Sequence, residues 1–100
     1  MRISEIIREH ENSGRHFFSP GAMRYFNSRI SSYTRGRLFI SSERQDYETP
    51  RLYTVRRLEA DGGISTVGDF QEYDSLYKAK KALDEAYLEE CEKGTRWIGA

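Results

Sequence analysis

From residue 76 onward the chain carries an apolar helical stripe that needs a second layer to cover it. Leu76, Ala79, Leu83, Ala86, Tyr87 and Glu90/Cys91 follow the 3.6-residue period. Asp74 or Ser75 stands ahead of them as a cap, so the spacing predicts a helix to about residue 93. Gly94 then occupies the C′ position, with Trp97 and Ile98 placed to fold back on the last turn. A helix with one apolar face buries it against other helices or against a sheet. What precedes the stripe decides which.

The middle of the chain supplies a sheet. Residues 29–33 read as a short strand, Thr34-Arg35-Gly36 as a turn, and residues 37–42 as the returning strand. Residues 43–50 are polar and read as a loop. Residues 52–58 are rich in β-formers. Asp61-Gly62-Gly63 is a hairpin signal, because a primed turn needs positive φ. Residues 64–70 return as the next strand, with Gly68 marking a bulge. Two short helices come first. One starts near Ile3, with Ile3, Ile6, Ile7 and His10 on one side, and Gly14 stops it. The other runs from Pro20 to about residue 27, with Ser19 as N-cap and Phe18 and Met23 as a hydrophobic staple. It places Met23 and Phe26 on one face and turns Arg24 away.

The expected fold is therefore α+β in the order α-α-β-β-β-β-α, a single domain over residues 1–100. Two short N-terminal helices precede a four-stranded antiparallel meander, and a long C-terminal helix packs on one sheet face. Leu76, Ala79, Leu83 and Ala86 should meet Ile40, Val55 and Ile64 or Val67, while arginines solvate the other face.

Several chemistries fall away. No run of 18 apolar residues exists, so no membrane helix is expected, and the early charges do not read as a signal peptide. The single cysteine, Cys91, rules out an internal disulfide and a multi-cysteine zinc site, which suits a cytoplasmic domain. His10 and His16 lie six apart with a glycine between them, a spacing that does not pair them on one helix face. They read as surface histidines, and Cys91 as a partly buried thiol. Cys91 stands among Glu89, Glu90 and Glu92, a poor setting for a nucleophilic thiolate. No nucleophile elbow and no glycine-rich phosphate loop is present. The expectation is no catalytic residue, no metal and no cofactor.

Charge is the most suggestive feature. The chain is neutral, yet residues 1–57 hold eleven arginines against six carboxylates, and residues 58–100 hold five cations against ten. Arginine suits planar contact with phosphate or carboxylate. Arg24-Tyr25-Phe26, Arg29, Tyr33, Arg35, Arg37, Arg51-Leu52-Tyr53 and Arg56-Arg57 interleave bases with aromatics, as a surface that stacks nucleobases and holds phosphates would. Arg35, Arg37, Arg56, Arg57, Tyr33 and Tyr53 are the candidate binding residues. Arg56 and Arg57 are consecutive in a strand, so they point to opposite faces.

Three resemblances bear on function. Arg56, Arg57, Tyr53 and Tyr73 near strand ends resemble the metal-free ribonuclease toxins of the RelE/ParE type, although the opening strand of that family is missing. Lys78-Ala79-Lys80-Lys81-Ala82 resembles the basic start of the last helix in double-stranded RNA-binding domains. More of the chain, roughly residues 15–88, resembles a group of small bacteriophage and mobile-element proteins. That resemblance is carried by Phe17-Phe18, the run from Met23 to Arg29, Phe39-Ile40-Ser41-Ser42-Glu43, Arg51-Leu52-Tyr53-Thr54-Val55-Arg56 and Val67-Gly68-Asp69-Phe70. It implies a non-enzymatic binding module that engages a host protein complex, as an anti-CRISPR or other anti-defence inhibitor does. The alternative is an RNA- or DNA-binding domain using the Arg/Tyr face. No membrane partner is expected.

Overall fold

The computed structural model describes residues 1–25 and 27–99, with side chains through Glu92. The elements are α1 (Ile3–Asn12), α2 (Pro20–Tyr25), β1 (Arg29–Ile30), β2 (Leu38–Glu43), β3 (Leu52–Leu58), β4 (Ile64–Val67) and α3 (Leu76–Gly99). Among the described residues the strands form one antiparallel sheet in chain order, β1-β2-β3-β4. The fold is α+β in the order the sequence predicts.

One expectation needs correction: the sheet has no solvated face. All six residues of β2 are buried. Leu38 and Ile40, with Val55 of β3, meet Ala79 and Leu83 of α3, and Leu76, Ala86 and Val67 flank them. Phe39 and Leu58 point the other way and pack with Ile6 of α1, with Ile3, Phe17, Phe18, Ile30 and Ile64 around them. Successive strand residues alternate between faces. The unbroken run Leu38-Phe39-Ile40 is therefore the pattern of a strand covered on both sides. Val67, rather than Ile64, belongs to the α3 face.

Element ends follow local chemistry. Gly14 closes α1 at φ 85°. Ser19 Oγ accepts from the Ala22 amide at 3.3 Å and caps α2. That helix ends at Tyr25, earlier than residue 27, because Asn27 takes a left-handed φ of 49° and the Ser28 amide returns to Met23 O at 2.8 Å. Phe26 lies outside the described residues. β1 stops at Ile30, short of the expected residue 33, because the chain turns to carry Tyr33 onto Asp84 of α3 at 2.6 Å. β4 stops at Val67, where Gly68 (φ 79°) ends the strand rather than bulging it. Ser75 Oγ caps α3 through the Lys78 amide at 3.2 Å. The helix continues past residue 93 and through Gly94, since a glycine inside a helix costs only about 1 kcal/mol. The side chains of Trp97 and Ile98 lie outside the described residues.

Two readings of single residues also change. Cys91 is exposed, not partly buried. A 24-residue helix is about 36 Å long, so its C-terminal turns run beyond the short strands beneath it. His10 is buried while His16 is exposed. His10 follows Ile3 and Ile6 on the covered face of α1, and its ring serves the backbone at both nitrogens. Nδ1 bonds Gly62 O at 2.6 Å, and Nε2 accepts the Phe17 amide at 2.9 Å. The imidazole is thus a neutral bridge between α1, the β3–β4 turn and the Phe17-Phe18 segment. Gly62 permits the approach, because a Cβ there would stand 2.4 Å from Ser13 Cβ.

Two substitutions check this packing. Leu83→Ala should cost about 2–5 kcal/mol in urea unfolding, whereas Tyr77→Ala on the exposed side of α3 should cost under about 0.5 kcal/mol. His10→Leu should keep the volume yet cost about 1–3 kcal/mol, because it orphans the Gly62 carbonyl and the Phe17 amide.

Candidate binding site

The antiparallel register brings the start of β1, the end of β2 and the start of β3 to one end of the sheet. Arg29 stands opposite Ser42, and Glu43 opposite Leu52. Arg44 and Arg51 bracket the loop that joins β2 to β3. Arg51 Nη1 donates to Asn27 O at 2.9 Å and to Ser42 O and Oγ at 3.1 Å, which ties the α2–β1 link to that loop. Asn27 Nδ2 donates to Arg44 O at 3.3 Å. The loop itself is wound around Asp46, whose Oδ1 accepts from the Thr49 hydroxyl and from the Glu48 and Thr49 amides at 2.7–2.9 Å. The Thr49 hydroxyl, followed by the Glu48 amide, holds that carboxyl below its usual range.

The result is a groove of about 280 Å³ with Arg24, Arg29, Arg44 and Arg51 along it. Met23, Asn27, Ser28 and Tyr47 complete the lining. Arg44 stacks on Tyr47 at 4.7 Å, and Tyr47 and Tyr25 are 91% and 81% exposed. Among the described residues none of the four arginines has an ion-pair partner. Burial, then the nearby charges of Arg29 and Arg44, lower the proton affinity of Arg51. No carboxylate stands within ion-pair distance of these four guanidinium groups among the described residues, although Glu43 acts on Arg51 and Arg44 on Asp46 at longer range.

The six residues singled out by sequence lie elsewhere, divided between the two sheet faces and engaged by acids or by the core. Arg35 pairs with Asp84 at 3.4 Å and lies 4.5 Å over the Tyr87 ring. Tyr33 donates to the same Asp84, and that bond, then burial, raises its pKa. Arg37 pairs with Glu9 at 2.8 Å and donates to the carbonyls of Leu58 and Glu59. Arg57 pairs with Glu90 and lies 3.9 Å from Glu59. Tyr53 packs against the α3 core, and its backbone bridges Tyr73. The sequence places Arg56 and Arg57 on opposite faces, and the register agrees. Three of the four groove residues, Arg24, Arg29 and Arg51, belong to the interleaved run already noted. The signal for Arg44 was its place in the polar loop, opposite Arg51 across the same hairpin.

Arg56 forms the second feature. Its side chain is 12% exposed and lies 3.7 Å from Glu43, itself 6% exposed. Arg56 also donates to Ser41 Oγ at 3.1 Å and Thr66 Oγ1 at 2.7 Å. The rings of Phe17 and Phe70 flank the guanidinium at 5.4 and 5.3 Å. Burial lowers the proton affinity of Arg56, and Glu43 opposes that effect. Glu43 Oε2 is buried with no hydrogen-bond partner among the described residues. A cavity of about 190 Å³ opens here, lined by Phe17, Ser28, Glu43, Arg56 and Phe70.

Among the described residues no group of three His, Cys, Asp or Glu side chains could hold a metal, and no helix is long and apolar enough to cross a membrane. Because the Arg56–Glu43 pair is enclosed, Arg56→Met should cost about 3–5 kcal/mol in urea unfolding, and the double change Glu43→Leu/Arg56→Met should recover most of it. No curated protein and no solved structure matches the chain. Residues 2–84, which span both helical layers, the sheet and every residue of the groove, match one protein family, and the chain belongs to it: the family of unknown function DUF7447.

Proposed function

We propose that this is a non-enzymatic binding domain whose ligand is single-stranded nucleic acid, tracked along the groove of Arg24, Arg29, Arg44 and Arg51. The observation that carries the reading is the contrast in charge pairing. The arginines at 35, 37, 56 and 57 each have a carboxylate, while these four have none among the described residues and share one groove. A row of guanidinium groups with an exposed, Arg-stacked tyrosine beside it supplies the phosphate contacts and the stacking platform that such binding requires. The neutral net charge weakens nonspecific attraction for a polyanion, so in this reading binding rests on the local arginine row.

The resemblance of residues 15–88 to small bacteriophage and mobile-element proteins supports a binding role over an enzymatic one. In this reading the domain works in the host cytoplasm, and an anti-defence activity would be exerted through the nucleic acid it holds. Engagement of a host protein complex is the competing outcome of the same experiment.

The test is fluorescence anisotropy with labelled single-stranded RNA and DNA over a salt series. Binding should weaken log-linearly with salt. Arg24→Ala and Arg29→Ala should each lower the slope by about 0.7–1 and weaken all sequences alike. Arg35→Ala, which loses an intramolecular ion pair, should leave the slope unchanged. Absence of salt-dependent binding overturns the proposal. Salt-insensitive binding to a host protein, with one Arg or Tyr costing about 2 kcal/mol or more, would replace it with the protein-partner reading.

A further inference from the structure

We infer that the cavity beside the groove is a pocket for one nucleobase, and that Glu43 selects guanine. The inference rests on the nucleic-acid reading above and gives it a base specificity.

Three observations carry it. Glu43 is 5% exposed, and its Oε2 has no hydrogen-bond partner among the described residues. A buried carboxylate oxygen without a partner is costly, so a ligand that donates to it once Phe70 moves aside removes that cost. The cavity that Glu43 lines has aromatic walls, Phe17 and Phe70, suited to a flat ring. Its volume of about 190 Å³ falls below the ~300–1,000 Å³ of ordinary small-molecule pockets, so it fits a base and not a whole nucleotide. The cavity is also continuous with the groove. A hollow of about 420 Å³ shares Glu43 and Phe70 with the cavity, and Asn27 and Arg44 with the groove.

Charge narrows the ligand. Arg56 lies against Glu43, and the unpaired arginines lie just outside, so an ammonium ligand is repelled. The donor must be neutral and carried on an anion, which describes a base on a phosphate backbone. Guanine presents two adjacent N–H donors on one edge, with a carbonyl oxygen beside them. A carboxylate takes the donors, and the Arg56 guanidinium faces the carbonyl. Adenine and cytosine set a ring-nitrogen acceptor next to their amino group, and uracil offers a single N–H between two carbonyls. Each turns a lone pair toward the carboxylate. Entry requires the Phe70 ring to swing from Arg56, and Phe70 is 54% exposed on a turn outside the strands.

The experiment uses the full chain and four labelled RNA heptamers, six uridines around a central G, A, C or U, at one salt concentration. The G-centred heptamer should bind on the order of tenfold tighter than the other three. In Glu43→Gln, with folding checked by circular dichroism, the G-to-U affinity ratio should fall to within about twofold of one. Phe70→Leu should lower the ratio as well, and it decides the matter if Glu43→Gln does not fold. Equal, salt-dependent binding of all four heptamers overturns this inference and leaves the groove reading standing. Failure of every heptamer to bind overturns both. A G preference that survives in folded Glu43→Gln removes Glu43 as the reader and overturns the assignment.

Discussion

Burial of β2 on both faces is the constraint on which the rest of the structure depends. A strand with Leu38 and Ile40 on one side and Phe39 on the other needs two apolar layers, and the chain provides them from opposite ends. α3 closes one side with a helical stripe. α1 closes the other with Ile6, helped by Phe17 and Phe18. The second layer is thinner than the first, and polar bonds fix it where area alone would not. His10 reaches the Gly62 carbonyl and holds the Phe17 amide, Arg37 clamps Glu9 to the carbonyls of Leu58 and Glu59, and Arg15 reaches Asp61. The Phe17 bond lies within the N-terminal layer, and the others tie that layer to the β3–β4 end of the sheet. The opposite end, where β1 begins and β2 passes into its loop, carries no such clamp from α1. The groove lies there.

The same division explains the charge pattern. The basic first half and the acidic second half meet across the sheet, and they meet unevenly. Asp84, Glu90 and Glu59 engage Arg35 and Arg57, because α3 and the end of β3 lie over those positions. Asp84 and Glu90 of α3 are engaged by Arg35 and Arg57, away from the α2–β1 link and the β2–β3 loop. Among the described residues Arg24, Arg29, Arg44 and Arg51 stay without ion-pair partners. Burial, and after it the like charges of Arg29 and Arg44, lower the proton affinity of Arg51, and both effects oppose holding its charge there. Asp46 directs its Oδ1 to the backbone and hydroxyl of its own loop, and Arg44 acts on it only at longer range.

What the sequence made legible follows from the range of the interactions involved. Residues 52–58 and the Asp61-Gly62-Gly63 turn were readable because β-propensity and positive φ are local properties. The α3 stripe was readable because a period needs no partner. The second covered face was present in Leu38-Phe39-Ile40, but an unbroken triplet yields to a one-sided reading when arginines dominate the neighbouring strand. His10 was visible on the apolar side of α1, yet only the β3–β4 turn explains why a histidine is useful there. The candidate binding residues were the least legible. Arg35, Arg37, Arg56 and Arg57 differ from Arg24, Arg29, Arg44 and Arg51 mainly in which carboxylates fold against them. That is a property of contacts as far apart in the chain as Arg35 and Asp84.

Arg56 shows how closely the fold and the proposed site depend on each other. It pairs with Thr66 across β3 and β4 and with Ser41 across β2 and β3, so it helps fix the register of the central strands. Its remaining contacts, Glu43 and the two phenylalanine rings, form the wall of the cavity. A buried ion pair alone adds little net stability, because desolvation offsets its Coulomb attraction. Here the arginine has further partners, while one oxygen of the glutamate has none among the described residues. The deficit falls on the acceptor, and Glu43 lines the cavity beside the groove of Arg24, Arg29, Arg44 and Arg51. A domain selected for stability alone would close that deficit with a hydroxyl or an amide. Beside arginines without carboxylate partners, that open acceptor is the feature a hydrogen-bond donor carried on a polyanion would use, and it is the physical basis of the proposed site.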